Sequence, residues 1–389
     1  MKKKIVNSNI NGYIEGYYGQ LLNWESRKLI IKSLSKNKMN TYLYAPKEDE
    51  NHRLNWRNKY SSKWRKSFRD FTSFSKKNNI NIIAGIAPGL DFNFKKFINS
   101  SNKIKNSDFN LLLNKAKQLL EDGAATIALL LDDIPDEFEE KFGKNVSEGT
   151  SHGILTNKIS EELKQNIYFV PRIYADELIK DSPNYLSDLS KILNQDIRVF
   201  YCGKNVVCKT IKKNSKINKI ICNKIIYWDN YYANDYCPRR FFIGPYLERT
   251  SLNNLMINPT GLIKTDLLIL DIITNTINKK DYIKAWTKTL NEHGVPLIFL
   301  KIKKFFFKPN FSSNPSLSAY RSNSNHFEAL EFLLWSWKGA LSREWYPYLF
   351  GLKHDLQLNQ SKLTSERIIK SQTLPLAQHI LLNFKKGEL

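Results

Sequence analysis

Cysteine is scarce in this chain of 389 residues, which contains only four. They are Cys202, Cys208, Cys222 and Cys237. They show no CxxC spacing and no paired histidine motif, so we expect neither a zinc site nor a disulfide framework. His52 and His152 have no partner at ligand spacing and are expected to be structural or surface histidines. The sequence therefore predicts reduced thiols in a cytoplasmic protein, with no metal and no cofactor.

Long hydrophobic runs are also missing. The chain begins with MKKK like a signal peptide, but Asn7, Ser8, Asn9 and Asn11 interrupt any apolar stretch that could follow. No apolar run approaches the length of a membrane span. We therefore expect a soluble protein with no membrane partner.

Acidic residues are few beside basic ones, 37 against 60, which gives a formal net charge of +23. Such a surplus can indicate a polyanionic partner. Here the lysines are spread along the chain together with asparagine and isoleucine, as in KINKIICNK, and a general compositional bias explains them. We favour that explanation over a nucleic-acid partner, and polyanion binding is the alternative.

Short runs typical of β-strands alternate with segments that suit helices. The predicted strands are Gly12–Tyr18, Thr41–Tyr44, Asn81–Ile86, Thr126–Leu131, Ile167–Val170, Arg198–Tyr201, Lys224–Trp228 and Leu255–Ile257. The predicted helices between them include Glu25–Lys38, Asn55–Asn78, Phe109–Asp122 and Asn184–Asn194. About eight such units predict an α/β fold, a closed (β/α)8 TIM barrel of roughly 250 residues. An open doubly wound sheet is the alternative, disfavoured because no GxGxxG follows the first strand.

Two adjacent carboxylates, Asp132 and Asp133, end the fourth predicted strand. Neighbouring side chains of an extended strand point to opposite faces, but at a fraying strand end both can border one cleft. Such acids, with an ordinary pKa of roughly 3.9, can be driven apart until one donates a proton and the other stays charged. The alternative is that one of the two aspartates caps the next helix and the other pairs with a lysine.

The ends of the other predicted strands also carry polar and aromatic residues, among them EGYYG, PKED and WDN. Active sites of (β/α)8 barrels lie at these strand ends. Amides and carboxylates hydrogen-bond hydroxyls, and aromatic rings cover the apolar face of a sugar. The pattern favours a carbohydrate site.

With these strand ends set side by side, the chain resembles the catalytic domain of glycoside hydrolase family 84, the β-N-acetylglucosaminidases that include the O-GlcNAcases. The matching stretches are IEGYYG, NKMNTYLYAPKEDENHRLNWR, GIAPG, LLLDDI, YWDNYYANDY, RRFFIGPY and INP. They occur in the family's order and span roughly residues 10–262.

The resemblance implies retaining hydrolysis in which the 2-acetamido oxygen of the substrate attacks the anomeric carbon. Asp132 would polarise the acetamido N–H, and Asp133 would be the general acid and then the general base. The implied substrate-binding residues are Gly16, Lys47, Tyr174, Trp228, Asn230, Asp235 and Asn258. For Trp228, a barrel-core position and a pocket wall are equally good interpretations.

Two stretches depart from the family pattern. VPRIYADEL, around Tyr174, has Arg172 and Ile173 where the family usually has a threonine and a polar residue. QLLNW lacks the usual Pro-Trp-Ser turn, so the aglycone side can differ.

Beyond about residue 262 the motifs fade. Lys264–Asn278, Lys280–His293 and His326–Leu341 show the periodicity of amphipathic helices, with a Ser/Asn-rich linker at Ser312–Asn325. We divide the chain into a catalytic barrel, residues 1–270, and a mainly helical C-terminal domain, residues 271–389. The C-terminal helices would pack on the barrel or pair two copies as a homodimer.

The sequence thus predicts a retaining exo-β-N-acetylglucosaminidase that removes terminal or protein O-linked GlcNAc. A catalytically silent barrel that binds glycans or glycoproteins is the alternative from another class. The sequence leaves the aglycone open.

Overall fold

The strands form a closed parallel barrel. The computed structural model describes residues 9–99, 107–143, 146–211, 217–236, 242–249, 251–307 and 322–358. Its strands are β1 (Asn11–Glu15), β2 (Thr41–Tyr44), β3 (Asn81–Ile86), β4 (Thr126–Leu130), β5 (Tyr168–Val170), β6 (Arg198–Tyr201), β7 (Ile225–Asp229) and β8 (Leu255–Ile257). They pair in chain order, and β8 returns to β1 with Leu255 opposite Asn11. The predicted (β/α)8 fold is confirmed, and the open sheet is wrong.

Helices connect and surround the strands. They are α1 (Trp24–Lys36), α2 (Ser62–Lys77), α3 (Phe94–Asn99), α4 (Asp108–Glu121), α5 (Phe138–Phe142), α6 (Glu148–Leu163), α7 (Tyr185–Ile192), α8 (Ile217–Ile220), α9 (Ile263–Thr276), α10 (Tyr282–Glu292), α11 (Ser324–Glu331) and α12 (Ala340–Leu358). Short 3-10 turns cover Asp176–Asp181, Leu297–Lys301 and Lys303–Phe305.

Alternating residues of each strand build two apolar layers. Ile14 and Leu43 belong to the cluster that fills the barrel interior, whereas their neighbours Tyr13 and Tyr42 belong to the cluster between strands and helices. Strands buried on both faces read as continuous apolar runs, as expected for a parallel sheet. This packing fixes the strands and leaves their carboxyl ends to carry the polar loops.

Local sequence signals set the starts of four barrel helices. Asn23, Ser61, Ser107 and Ser147 each accept a hydrogen bond from a backbone N–H of the first turn of α1, α2, α4 and α6. Such caps contribute about 1 kcal/mol each. The cap at Ser61 corrects the predicted start of the second helix: residues 55–61 form turns and irregular backbone, in which the Tyr60 N–H donates to the Gln118 side chain.

The first strand also ends earlier than predicted. It stops at Glu15, whose carboxylate is buried and bonded to Arg27 and to Tyr42. The predicted residues Gly16, Tyr17 and Tyr18 leave the strand because the Gly16 N–H bonds to Asn258 in place of a strand partner. This early exit brings Gly16 and Tyr18 to the barrel mouth, whereas Tyr17 stays buried between strands and helices.

A second apolar core joins the C-terminal helices to α9. It includes Leu268 and Ile272 of α9 together with Trp286, Leu330 and Trp345. Glu344 of α12 accepts hydrogen bonds from the first turn of α9. The predicted division at residue 270 therefore lies inside α9, and the assignment of two domains stays a prediction.

The last predicted helix, His326–Leu341, is not continuous. A π-turn at Phe332–Ser336 follows α11. The helical backbone then ends at Trp337, because its indole donates to the Gly294 carbonyl and packs on Trp345. Most of the predicted linker Ser312–Asn325 lies outside the described residues. In the described part of the chain, no helix combines the length and apolar character needed to cross a bilayer.

Candidate active site

The barrel mouth contains a cavity of about 320 Å3. All nine residues predicted from the sequence line it: Gly16, Lys47, Asp132, Asp133, Tyr174, Trp228, Asn230, Asp235 and Asn258. Trp228 lies in β7, and the others follow β1, β2, β4, β5, β7 and β8, so the barrel gathers side chains that are far apart in sequence. Their roles stay predictions, but their common location is a structural fact.

The backbone at the end of β4 turns both acids toward this cavity. Asp133 has a φ of 52°, in the left-handed region that few residues other than glycine adopt. An extended backbone would place neighbouring side chains on opposite faces. The left-handed residue breaks that alternation, and both carboxylates border the same space.

Lys47 connects the two acids. Its Nζ lies 2.5 Å from Asp132 Oδ2 and 3.5 Å from Asp133 Oδ2. The lysine and Asp132 are almost fully buried, whereas the Asp133 side chain keeps 31% of its exposure. Asp132 Oδ1 is buried, and no described residue gives it a hydrogen bond. Because a buried unpaired acceptor is costly, this atom is available to an incoming N–H donor.

Two tyrosines hold the carboxylate of Asp133. Tyr174 donates its hydroxyl to Oδ1 at 2.7 Å, and Tyr18 donates to Oδ2 at 3.0 Å. Burial alone would raise the pKa of Asp133, but the nearby Lys47 ammonium and these hydroxyls lower it below its usual range. Burial and the neighbouring carboxylate raise the pKa of both tyrosines, which therefore remain donors. These contacts favour the ionised form of Asp133.

An amide network supports the opposite wall. Asn230 Oδ1 accepts from the Trp228 indole at 3.0 Å and from Asn258 Nδ2 at 2.9 Å. Its Nδ2 donates to the Val206 carbonyl. Asn258 Oδ1 in turn accepts from the Gly16 N–H. Asn230 is therefore suited to position its neighbours.

Trp228 belongs both to the barrel-interior cluster and to the cavity wall, so its two predicted positions coincide. Its ring explains the glycine at position 16, where a Cβ atom would lie 2.5 Å from the Trp228 ring. Asp235 closes the rim by accepting from the Tyr18 N–H at 3.1 Å.

Sequence reasoning missed several lining residues. Tyr18 lies within the quoted IEGYYG motif, and its 44% exposure is what the sequence could not show. Tyr201, Cys202, Val206 and Val207 come from the end of β6 and its loop, where no motif was recognised. Arg53, in the NHRLNWR stretch, contacts the site by donating to the Asp133 carbonyl.

Other strand-end acids have structural partners. Asp49 accepts from the hydroxyls of Tyr44 and Tyr60, and Asp229 is paired with Arg249. None of these acids lines the cavity. Position at a strand end therefore does not by itself make an acid available to a ligand.

The departure around Tyr174 has a local explanation. Arg172 turns away from the cavity and forms two hydrogen bonds of 2.7 Å with the Glu148 carboxylate. The Arg172 N–H donates to the Tyr185 hydroxyl. Tyr174, two residues on, still reaches Asp133.

His52 and His152, the two histidines singled out in the sequence, are both buried. His52 contacts the Gly85 carbonyl and His152 contacts the Tyr185 hydroxyl. Burial lowers the pKa of His52 to about 4 and that of His152 to about 3. Within the described ranges, no group of three or more potential metal ligands is found.

A closed (β/α)8 barrel with paired carboxylates at the mouth belongs to the class of barrel proteins whose ligand site lies at the strand ends. A family model described as beta-N-acetylglucosaminidase matches residues 11–291. The chain belongs to this family, and the resemblance to glycoside hydrolase family 84 is confirmed.

Individual relatives agree with this family assignment. The Protein O-GlcNAcases of Rattus norvegicus and Mus musculus are each 34% identical over 263 residues, which cover 64% of this chain. The match spans only 28% of the length of these relatives. The structure of CpGH84B aligns with a TM-score of 0.71 at 20% identity, covering 97% of this chain and 72% of that one. The last likeness concerns the fold alone.

Proposed function

We propose that this protein is a retaining exo-β-N-acetylglucosaminidase that removes terminal or protein O-linked GlcNAc by substrate-assisted catalysis. One observation carries the proposal: the buried, unpartnered Oδ1 of Asp132 borders a cavity that also holds Asp133 and Lys47. An acetamido N–H would satisfy that oxygen.

The chemistry assigned to Asp132 follows from its charge. An amide oxygen is a weak nucleophile until a carboxylate engages its N–H. Attack on the anomeric carbon forms an oxazolinium ion, and the charge of Asp132 would offset that cation. Lys47, 2.5 Å from the other oxygen, forms an ion pair with this buried acid and leaves Oδ1 free to accept from the acetamido N–H.

Asp133 would protonate the leaving oxygen and then take a proton from water. Lys47 and the two tyrosine hydroxyls lower the pKa of Asp133, so it would act as an acid once the bound substrate raises that pKa. A bound sugar would engage Lys47 and the Tyr174 hydroxyl and exclude water, and both effects favour the protonated acid. The moderate exposure of Asp133 leaves access for this proton.

The remaining predicted residues would bind the sugar. Asp235 and Asn258 offer polar atoms at the rim and floor, and Trp228 walls the cavity. The Trp228 ring is positioned by Asn230, so the wall has a fixed shape. A small cavity of this kind fits a terminal sugar better than the interior of a glycan chain.

The test compares three 4-nitrophenyl glycosides on the intact chain. The β-GlcNAc substrate should release 4-nitrophenol, and its N-trifluoroacetyl analogue should react more slowly because fluorine weakens the nucleophilic oxygen. The β-glucoside, which lacks the acetamido group, is the control and should not react. Activity indifferent to fluorination would reject substrate assistance. Binding of GlcNAc without turnover would favour the silent glycan-binding barrel.

The aglycone and location are part of the proposal. The relatives are named Protein O-GlcNAcase, which supports a glycoprotein as substrate. The described cysteines Cys202, Cys208 and Cys222 are free, which suits a cytoplasmic protein. Release of GlcNAc from a modified protein, and fractionation of cells that express the chain, would test both points. Nucleic acid is not proposed as a partner.

The proposed homodimer would use the C-terminal helices. Trp335, Tyr346 and Phe350 are 40–50% exposed, and the Tyr346 ring packs beside each of the other two. Exposed aromatic clusters are typical of interaction surfaces. Sedimentation should show a dimer that Phe350→Ser weakens, and a monomer at high concentration would contradict it.

A further inference from the structure

The left-handed backbone at Asp133 costs free energy, although aspartate adopts it more readily than most residues with a side chain. Residues held in such regions persist only where their surroundings impose them, and they cluster at functional sites. The conformation also brings the second acid to the cavity. Whatever stabilises it therefore controls the geometry of the acid pair.

Arg53 contacts Asp133 in two ways. One terminal nitrogen donates to the Asp133 carbonyl at 2.6 Å, directly at the turned residue. The other donates to the Tyr18 hydroxyl at 3.2 Å, and this hydroxyl donates a hydrogen bond to Asp133 Oδ2 at 3.0 Å. One guanidinium thus holds both the backbone and, through Tyr18, the carboxylate.

The position of Arg53 is itself fixed. Its neighbour His52 accepts the Ala87 N–H at 2.9 Å and contacts the Gly85 carbonyl at 3.0 Å, which anchors the loop on the end of β3. Arg53 is 9% exposed, so little of its side chain can move. A planar fork with several fixed donors is the feature of arginine that lysine lacks.

We infer that Arg53 is a positioning residue for the proton transfer by Asp133, acting on the Asp133 backbone directly and on its carboxylate through Tyr18. The inference rests on the proposed function, because it assumes that Asp133 is the acid. Arg53 itself touches no reacting atom. Its loss should therefore impair only the step that depends on a correctly aimed acid.

Leaving-group dependence separates this role from simple structural support. Phenyl β-GlcNAc needs protonation of its leaving oxygen, whereas 2,4-dinitrophenyl β-GlcNAc departs without it. For Arg53→Lys we expect kcat/KM to fall roughly 10- to 100-fold on the phenyl substrate. On the dinitrophenyl substrate the loss should stay within about threefold.

Arg57→Lys is the matched control. It makes the same change in the same loop, but Arg57 pairs with Asp91 and Asp108 and does not contact Asp133. Its ratio of the two rates should equal that of the wild type. Tyr18→Phe should shift the ratio in the same direction as Arg53→Lys by a smaller factor, because it removes only the link from Arg53 to the carboxylate. If Arg53→Lys fails to fold, an unchanged ratio for Tyr18→Phe would overturn that part of the positioning role.

Equal losses on both substrates, or no loss, would overturn the positioning role while leaving the proposed function intact. A folded wild type that hydrolyses neither substrate would instead reject the proposed function, and this inference with it. The two failures are distinguishable because the second appears in the unmodified chain.

Discussion

Two strand-end carboxylate sites in this barrel have opposite designs. At the end of β7, Asp229 binds Arg249 through both oxygens and also accepts from the Tyr246 hydroxyl and the Tyr231 N–H. Both members of the pair are fully buried. At the end of β4, Asp132 leaves one oxygen unpaired and Asp133 remains partly exposed.

The difference separates structure from function. In the closed pair, Asp229 and Arg249, the two charges neutralise each other and no acceptor is left for a ligand. The open pair, Asp132 and Asp133, keeps an acceptor without a donor and a left-handed backbone. Unfilled bonding capacity at a site is tolerated where a substrate completes it. We therefore expect mutations to cost stability at β7 and activity at β4.

The largest effect is expected at the open pair. Asp133→Ala should lower hydrolysis of 4-nitrophenyl β-GlcNAc by about 10²- to 10⁴-fold, because general acid–base catalysis is lost. Its urea unfolding midpoint should stay at or above that of the wild type. A clear loss of stability would break the comparison.

At the closed pair, Asp229→Asn should lower the free energy of unfolding by about 3–5 kcal/mol, because it leaves the buried Arg249 charge without a partner. Urea denaturation measures this loss. The control is Asp91→Asn, whose partner Arg57 and own side chain are substantially exposed, and whose cost should be about 1 kcal/mol or less. Equal effects would show that burial does not distinguish the pairs.

The wall of the open site can be displaced without touching an acid. Gly16→Ala should push the Trp228 ring, since the new Cβ would lie 2.5 Å from it, and lower kcat/KM by roughly 10- to 100-fold. Gly143→Ala is the control: its new Cβ would meet no atom within 4 Å, so the change would strain only the local backbone, where φ is 94°. Melting temperature and kinetics should separate the variants, and unchanged kinetics for Gly16→Ala would contradict a rigid wall.

A third carboxylate, Asp271, sharpens the comparison through pH. Burial would raise the pKa of Asp271, but hydrogen bonds from His293, Lys36 and Asn37 lower it well below its usual range. A lowered pKa stabilises the fold above the unfolded value of about 3.9, and this is lost as pH falls through the folded value.

Asp271→Asn should therefore lower the free energy of unfolding by about 1–2 kcal/mol near neutral pH. The difference from the wild type should shrink below about pH 4. Thermal melts across pH measure it. A constant difference down to the lowest pH would mean that the charge of Asp271 contributes nothing.

The smallest expected effect is proton uptake at the open pair. When N-acetylglucosamine binds, the protein should take up a proton, at most about one per site, because the ligand raises the lowered pKa of Asp133. Calorimetry in buffers of different ionisation enthalpy measures the uptake, and Asp133→Asn should abolish it. Uptake that persists in this variant would assign the proton to another group.

Much of the fold followed from local pattern. The strands Thr41–Tyr44, Asn81–Ile86, Arg198–Tyr201 and Leu255–Ile257 have the bounds that their apolar runs predict. Errors fell where distant contacts override local preference, as at Gly16, which bonds to Asn258. The break at Trp337 has the same cause, a bond to Gly294.

The amino-acid order by itself determined the barrel and the presence of acids at its mouth, because alternating apolar runs and caps act over a few residues. Only the tertiary structure decided which acids stay open. Asp229 is closed by Arg249, and Asp133 is turned by Arg53 from 80 residues away. Such contacts depend on how the loops meet in space, and a local sequence pattern does not encode that.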